Sequence, residues 1–196
     1  MTTNTKLKIE SRENAGTGPA RALRRENKVP AIVYGTGKEN QTVACSHKEL
    51  FKEMHLAGFF TKIFTLEGSG EPIRAIVKAL QLHPVTDQPL HVDFLRVNKD
   101  SRIDVAIPVH FINQEKSPGI KKGGILNIVS HVLHLICSPD HIPESITIDL
   151  AGLEINHSIH IQDIPLPEGA KIRGHQDMTL ATIVAPSGGE KESKEA

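Results

Sequence analysis

Five consecutive pieces decide the fold: Phe59-Phe-Thr-Lys-Ile-Phe-Thr-Leu66, Glu67-Gly-Ser-Gly70, Pro72-Ile-Arg-Ala-Ile-Val-Lys-Ala-Leu-Gln81, His83-Pro-Val-Thr-Asp87 and Leu90-His-Val-Asp-Phe-Leu-Arg-Val97. The first, third and fifth are rich in β-branched and aromatic residues. The second and fourth are breaker clusters. That pattern reads as three strands joined by two turns. Upstream, Lys6–Glu10, Val29–Tyr34 and Thr42–Cys45 read as three more strands, and Gly35-Thr-Gly37 stops the middle one. Pro19 suits the first turn of a helix running through Ala20–Asn27. Ser46-His-Lys-Glu49 matches a capping box, with Leu50, Phe51, Met54 and Ala57 at helical spacing behind it. The first half is therefore about six strands with two short helices, curled or barrel-like.

Beyond Val97 the pattern changes. Asn98-Lys-Asp-Ser101 is polar and marks a domain junction. Ile103, Val105, Ile107, Val109 and Phe111 then alternate as one half-buried strand. Ser117-Pro-Gly119 and Lys121-Lys-Gly-Gly124 read as a loop. Strands follow around 125–138, 145–150, 157–162 and 179–185, with Pro and Gly between them. Nothing here reads as a helix. The expectation is a mainly β protein of two domains. Residues 1–97 form a barrel-like domain with two or three short helices, and residues 98–186 an all-β or β-rich one. Residues 187–196 form a charged tail expected to be disordered.

Composition narrows the function. The 196 residues hold 23 Lys and Arg against 23 Asp and Glu, so no whole-chain field points to nucleic acid or membrane. The balance hides an asymmetry. Residues 1–98 carry 14 basic and 10 acidic side chains, residues 99–196 carry 9 and 13. Two distant Cys, Cys45 and Cys137, are no disulfide framework. No apolar run is long enough to cross a membrane, and Met1–Glu10 lacks a secretory signal, so a cytoplasmic protein is expected.

Enzyme motifs fail on inspection. A phosphate loop ending at Gly37-Lys38 needs Gly at position 32 and Ser or Thr at 39, which are Ile32 and Glu39. Gly16-Thr-Gly18 lacks the third glycine of a dinucleotide fingerprint, because position 21 is Arg21. Ser69 has no nucleophile elbow around it. His131 and His134 near Cys137, and His157 with His160, sit three apart in stretches read as strands, which points each pair to opposite faces. No metal site, catalytic residue or cofactor is expected.

Two groups remain. Arg12 precedes a loop, Gly16-Thr17-Gly18, whose free amides and following helix start make a natural anion site. Arg21, Arg24 and Arg25 share one face of that helix. His91 and Asp93 lie side by side on one face of a strand whose other face is Leu90, Val92 and Phe94. Tyr34, the single Tyr, ends a strand beside Gly35. The bland alternative for each is ordinary solvated surface.

Arg12-x-x-x-Gly16-x-Gly18-x-x-Arg21-x-Leu23-Arg24, then Val29-Pro-Ala-Ile-Val-Tyr-Gly35, resembles the bacterial large-subunit ribosomal protein family that binds 5S rRNA, protein twenty-five. Gln81-x-His83-Pro84 and His91-Val-Asp-Phe94 fit the same family. Gly119-x-x-x-Gly-Gly124 and Ile142-Pro-Glu-Ser-Ile146 fit its long two-domain form, the Ctc or general stress type. The resemblance implies a six-stranded barrel with helices, docked on 5S rRNA in the central protuberance of the large subunit, among other ribosomal proteins and neighbouring rRNA. It implies no catalysis, no membrane and no small-molecule substrate. By position, the rRNA-binding set is Arg12, Gly16, Thr17, Gly18, Arg21, Arg24, Tyr34, Gln81, His91 and Asp93. The family often has Lys where this chain has Thr17, which weakens or moves one phosphate contact. Strand parity groups Gln81 with the core-facing Ile73, Val77 and Ala79. Either a bulge turns it outward or its assignment to RNA fails. Two other classes compete: a protein-interaction or stress-response module without specific RNA binding, and a hydrolase built on His91 and Asp93.

Overall fold

Alternation gives each N-terminal strand one face that leaves water and one that stays in it. β1 (Thr5–Ser11) buries Leu7 and Ile9, β2 (Lys28–Tyr34) buries Val29, Ala31 and Val33, and β3 (Gln41–Ser46) buries Val43 and Cys45. β4 (Ile63–Glu67), β5 (Ile73–Leu82) and β6 (Pro89–Arg96) add Phe64 and Leu66, Ala75 and Val77, and Val92 and Phe94. The six strands close into a barrel in the order β1-β3-β2-β6-β5-β4. Pairs β1–β4 and β2–β6 are parallel; the other neighbours are antiparallel. Closure leaves no open edge in this sheet. The structure, a computed structural model, describes residues 5–12, 16–68, 70–98, 101–164, 166–167, 169–173 and 178–185. The expected charged tail and Ser69 lie outside the described residues.

Without Trp, the barrel interior is aliphatic around three edge-on phenylalanines. Phe64 meets Phe59 at 5.7 Å and Phe94 at 6.2 Å between ring centroids. Such tilted contacts set the ring edge of one against the face of another.

A bulge settles the parity of β5. Its register against β6 jumps between Val77 and Ala79, leaving Lys78 as an extra residue. One extra residue reverses every side chain after it. Val77 faces the core, Leu80 packs against it, and Ala79 and Gln81 are exposed. Grouping Ala79 and Gln81 with the core is therefore corrected.

Other local readings also change. α1 (Thr17–Arg25) starts ahead of Pro19 and ends before Asn27, whose φ of 59° leaves the helical region. α2 (His47–Met54) begins after Ser46 without a side-chain cap. The Glu49 Oε2 accepts from the Lys8 amide (3.4 Å), so the capping box does not form. Leu50 and Met54 pack on the core, while Phe51 is exposed and Ala57 lies beyond the helix. The strand expected from Phe59 begins at Ile63, because Gly58 turns the chain at φ +75° and the Thr61 hydroxyl donates to its carbonyl (2.9 Å).

In the second half, β7 (Ile103–Ile112) buries Ile103, Val105, Ile107 and Val109. The expected loop after it holds a 3-10 turn, Gln114–Lys116, and a short helix, α3 (Pro118–Lys121). Ser117 explains the helix: its hydroxyl accepts from the Ile120 amide (3.5 Å) and donates to the Leu153 carbonyl (2.8 Å). β8 (Ile125–Ile128), β9 (Val132–Cys137), β10 (Ile146–Asp149), β11 (Ser158–His160), β12 (Lys171–Ile172) and β13 (Thr179–Val184) complete the elements. They form, with β7, a four-stranded sheet ordered β10-β7-β9-β12 and a three-stranded sheet ordered β11-β13-β8. Among the described residues no helix is long and apolar enough to cross a membrane.

The chain divides into two compact units. One comprises Met1–Ile107, His134–Glu144 and Pro167–Arg173; the other comprises Pro108–Leu133, Ser145–Leu166 and Gly174–Ala196. Within the first unit Asp104 binds Lys78 (3.0 Å) and Arg173. Burial alone would raise the Asp104 carboxyl, but the bonds and charges of Lys78 and Arg173 outweigh it and hold the group below the usual carboxylate range. A depressed folded-state pKa contributes stability above the unfolded value, about 3.9, and loses it as pH falls through the folded value. Asp104→Asn is expected to cost about 1 kcal/mol at neutral pH and to flatten the stability loss below about pH 4. Urea melts of both proteins across that range check this; superimposable acid limbs would refute it.

Candidate nucleic-acid interface

The outer face of β6 carries His91, Asp93 and Leu95, because Val92, Phe94 and Arg96 take the inner one. The His91 Nδ1 and Asp93 Oδ1 lie 2.8 Å apart. That contact engages one ring nitrogen and leaves Nε2 without a partner among the described residues. Across β5, Gln81 is in register with His91 and Ala79 with Asp93. Across β2, Ile32 is in register with Asp93 and Tyr34 with Leu95. Tyr34 alternates out of the barrel with Ile32, on the same face as Asp93. Three neighbouring strands thus set Gln81, His91, Asp93 and Tyr34 on one rigid outer surface. The Tyr34 hydroxyl is pushed above its usual range, first by burial and then by the negative charge of Asp93. It is a protonated donor at neutral pH.

α1 borders this surface. No residue of it is buried, so packing alone does not hold it. Arg24 does: its Nε and Nη2 donate to the Leu90 carbonyl at 3.1 and 2.9 Å. The fork ties α1 to the start of β6, immediately before His91. Arg24 is thus a positioning group as well as a member of the basic stripe, a role the stripe alone did not reveal. Arg21 and Arg25 stay exposed, and the Arg25 Nε reaches the Arg21 carbonyl (3.4 Å).

α1 starts at a glycine. Gly16 is the N-cap, at φ 118°, a conformation that disfavours any side chain, and among the described residues no side chain caps the first amides. Nothing lies within 4 Å of a Cβ placed at Gly18. Packing among the described residues therefore makes no demand for glycine there. Thr17 is exposed. Arg12 is fixed by backbone pairing with Thr42, whose carbonyl accepts from its amide (3.0 Å) and whose hydroxyl donates to its carbonyl (2.6 Å). The Arg12 Nε is buried without a partner among the described residues.

Two other histidines lie close to a polar neighbour. His134 Nδ1 lies 3.5 Å from Asp104, and His160 Nδ1 lies 3.4 Å from the Thr179 hydroxyl. Among the described residues no three His, Cys, Asp or Glu side chains gather as metal ligands. Burial raises the Cys45 thiol to about 12, which leaves it a protonated core side chain.

Comparison with known proteins decides the family. Residues 7–94 match the ribosomal L25p family, and residues 102–187 match the C-terminal domain of ribosomal protein TL5. The large ribosomal subunit protein bL25 of Novosphingobium aromaticivorans is 50% identical over 182 residues, covering 92% of this chain and 89% of that protein. That of Rhizobium meliloti is 44% identical over 197 aligned residues, covering 100% and 97%. The chain belongs to the ribosomal L25p family. This is a structural family of ribosomal proteins, not of enzymes, and the hydrolase reading of His91 and Asp93 falls with it. The whole candidate surface, from Arg12 to Asp93, lies within the residues that match the L25p family.

Proposed function

We propose that the chain binds 5S rRNA in the central protuberance of the large ribosomal subunit, through the outer face of its barrel and α1. Membership of the L25p family carries the coarser statement, a structural ribosomal role. The observation that supports the finer one is the convergence of Tyr34, Gln81, His91 and Asp93 on three adjacent strands, beside a helix that exposes Arg21 and Arg25.

The chemistry suits double-stranded RNA. Its wide, shallow minor groove presents 2′-hydroxyls and base edges, which are read by donors and acceptors at fixed separations. Tyr34 and Gln81 donate, Asp93 accepts, and His91 presents the nitrogen that Asp93 leaves free. Arg12, Arg21 and the amides at Gly16-Thr17-Gly18 take phosphates. In this arrangement Arg24 aligns α1 with the His91 strand. Residues 1–97 carry the rRNA contact, and residues 98–186 serve a separate one.

A gel shift of the full chain with 5S rRNA, against an unrelated RNA of equal length, tests the reading. Equal affinity for both would leave a protein-interaction module instead. Arg21→Ala is expected to weaken 5S rRNA binding by about 1–2 kcal/mol and to lower the salt slope by roughly one charge. An unchanged slope takes Arg21 off the RNA.

A further inference from the structure

The end of β6 holds a group that the rRNA surface does not use. Arg96 has the parity of Val92 and Phe94, so its side chain turns to the barrel interior, away from Tyr34 and Asp93. It is only 6% exposed. Its Nη1 donates to the Glu39 carbonyl (2.8 Å), and among the described residues nothing else pairs with it, carboxylate or otherwise. A guanidinium has five N–H donors and a permanent charge, and removing it from water without a counter-charge is unfavourable.

Arg96 lines a cavity of about 370 Å³ at this barrel mouth, together with Thr36, Lys38, Gln41, Arg74 and Glu71. Arg74 already shares its charge with Asp140 (2.8 Å). Lys38 has no acidic partner among the described residues. With Arg74 paired, Arg96 and Lys38 face the one carboxylate, Glu71, across the same space. Thr36 and Gln41 add neutral donors.

We propose that this barrel mouth is a binding site for a phosphate-class oxyanion. The Arg96 fork takes two oxygens of the anion, which supplies the counter-charge the barrel does not. Lys38 adds a second charge from the loop. Glu71 faces the same space as an acceptor for a protonated anion oxygen. The phosphate is either a free anion or a backbone phosphate of bound RNA. The site does not depend on the rRNA surface, which points the other way from β6.

The test uses the full chain and arginine side-chain NMR. Inorganic pyrophosphate is titrated at constant ionic strength, with chloride as the control. A saturable shift of the Arg96 Nε–Hε signal, absent in chloride, is expected. Lys38→Ala should weaken it by about threefold to fivefold; Arg96→Lys, which keeps charge but loses both the fork and the reporter signal, should weaken pyrophosphate binding read by titration calorimetry by about tenfold. If Arg96→Lys does not fold, Lys38→Ala carries the test. Adding 5S rRNA distinguishes the sources. An Arg96 shift on RNA binding that pyrophosphate competes away assigns a backbone phosphate; pyrophosphate binding unaffected by bound RNA assigns a free anion. Either supports the site. Shifts that never saturate, that match chloride, or that ignore Lys38→Ala overturn it. A chain that titrates with pyrophosphate but shows no gel shift would separate this site from the rRNA reading.

Discussion

Phe94→Ala is expected to destabilise the chain by about 3–5 kcal/mol, the usual cost of deleting a buried aromatic ring. Phe94 is fully buried, in register with Val33 on one side and Val77 on the other, with its ring edge-on to Phe64. A closed barrel cannot slide its strands inward to fill the space, because each is hydrogen-bonded on both sides. Phe94→Leu leaves a smaller void and is expected to cost about 1–2 kcal/mol. The effect reaches function through the strand. His91 and Asp93 keep their spacing only while Val92 and Phe94 anchor the opposite face. Urea unfolding of the three proteins measures the cost. A loss of less than about 1 kcal/mol for Phe94→Ala would show a core that repacks freely and an outer face of β6 that is not held rigid.

Asp93→Asn is expected to weaken 5S rRNA binding by about 1.5–3 kcal/mol, the range for a hydrogen bond to a charged group. Simple charge counting forecasts the opposite, since removing a carboxylate beside phosphates makes the surface less negative. The two forecasts differ in sign. The 2.8 Å contact between Asp93 and His91 makes them one unit, so His91→Ala and the double variant complete the test. Losses that add would mean two independent residues; a double variant little worse than either single one supports the pair. Tyr34 supplies a second readout that needs no RNA. It is the chain's single tyrosine, so tyrosinate absorbance reports it alone. The Asp93 charge adds to burial in holding its pKa up, and Asp93→Asn should lower it. A gain in rRNA affinity with an unmoved Tyr34 would make Asp93 a bystander.

What the sequence determined by itself was local. Alternating Val, Ile and Phe between Gly and Pro clusters marked the six barrel strands, because a half-buried strand writes its period of two into neighbouring residues. The basic stripe of α1 and the His91–Asp93 pair were visible for the same reason: their partners lie within four residues. The tertiary structure decided what depends on distant chain. The bulge at Lys78 turned Gln81 outward beside His91, and nothing around Lys78 announces it, since a bulge forms to match the register of the partner strand. Arg24 looked like one more phosphate ligand until its fork met the Leu90 carbonyl, 66 residues away. Glu49 had the spacing of a capping box, yet an amide of β1 took its carboxylate. In each case one side chain had several acceptable partners, and the packing of the closed barrel brought only one within reach.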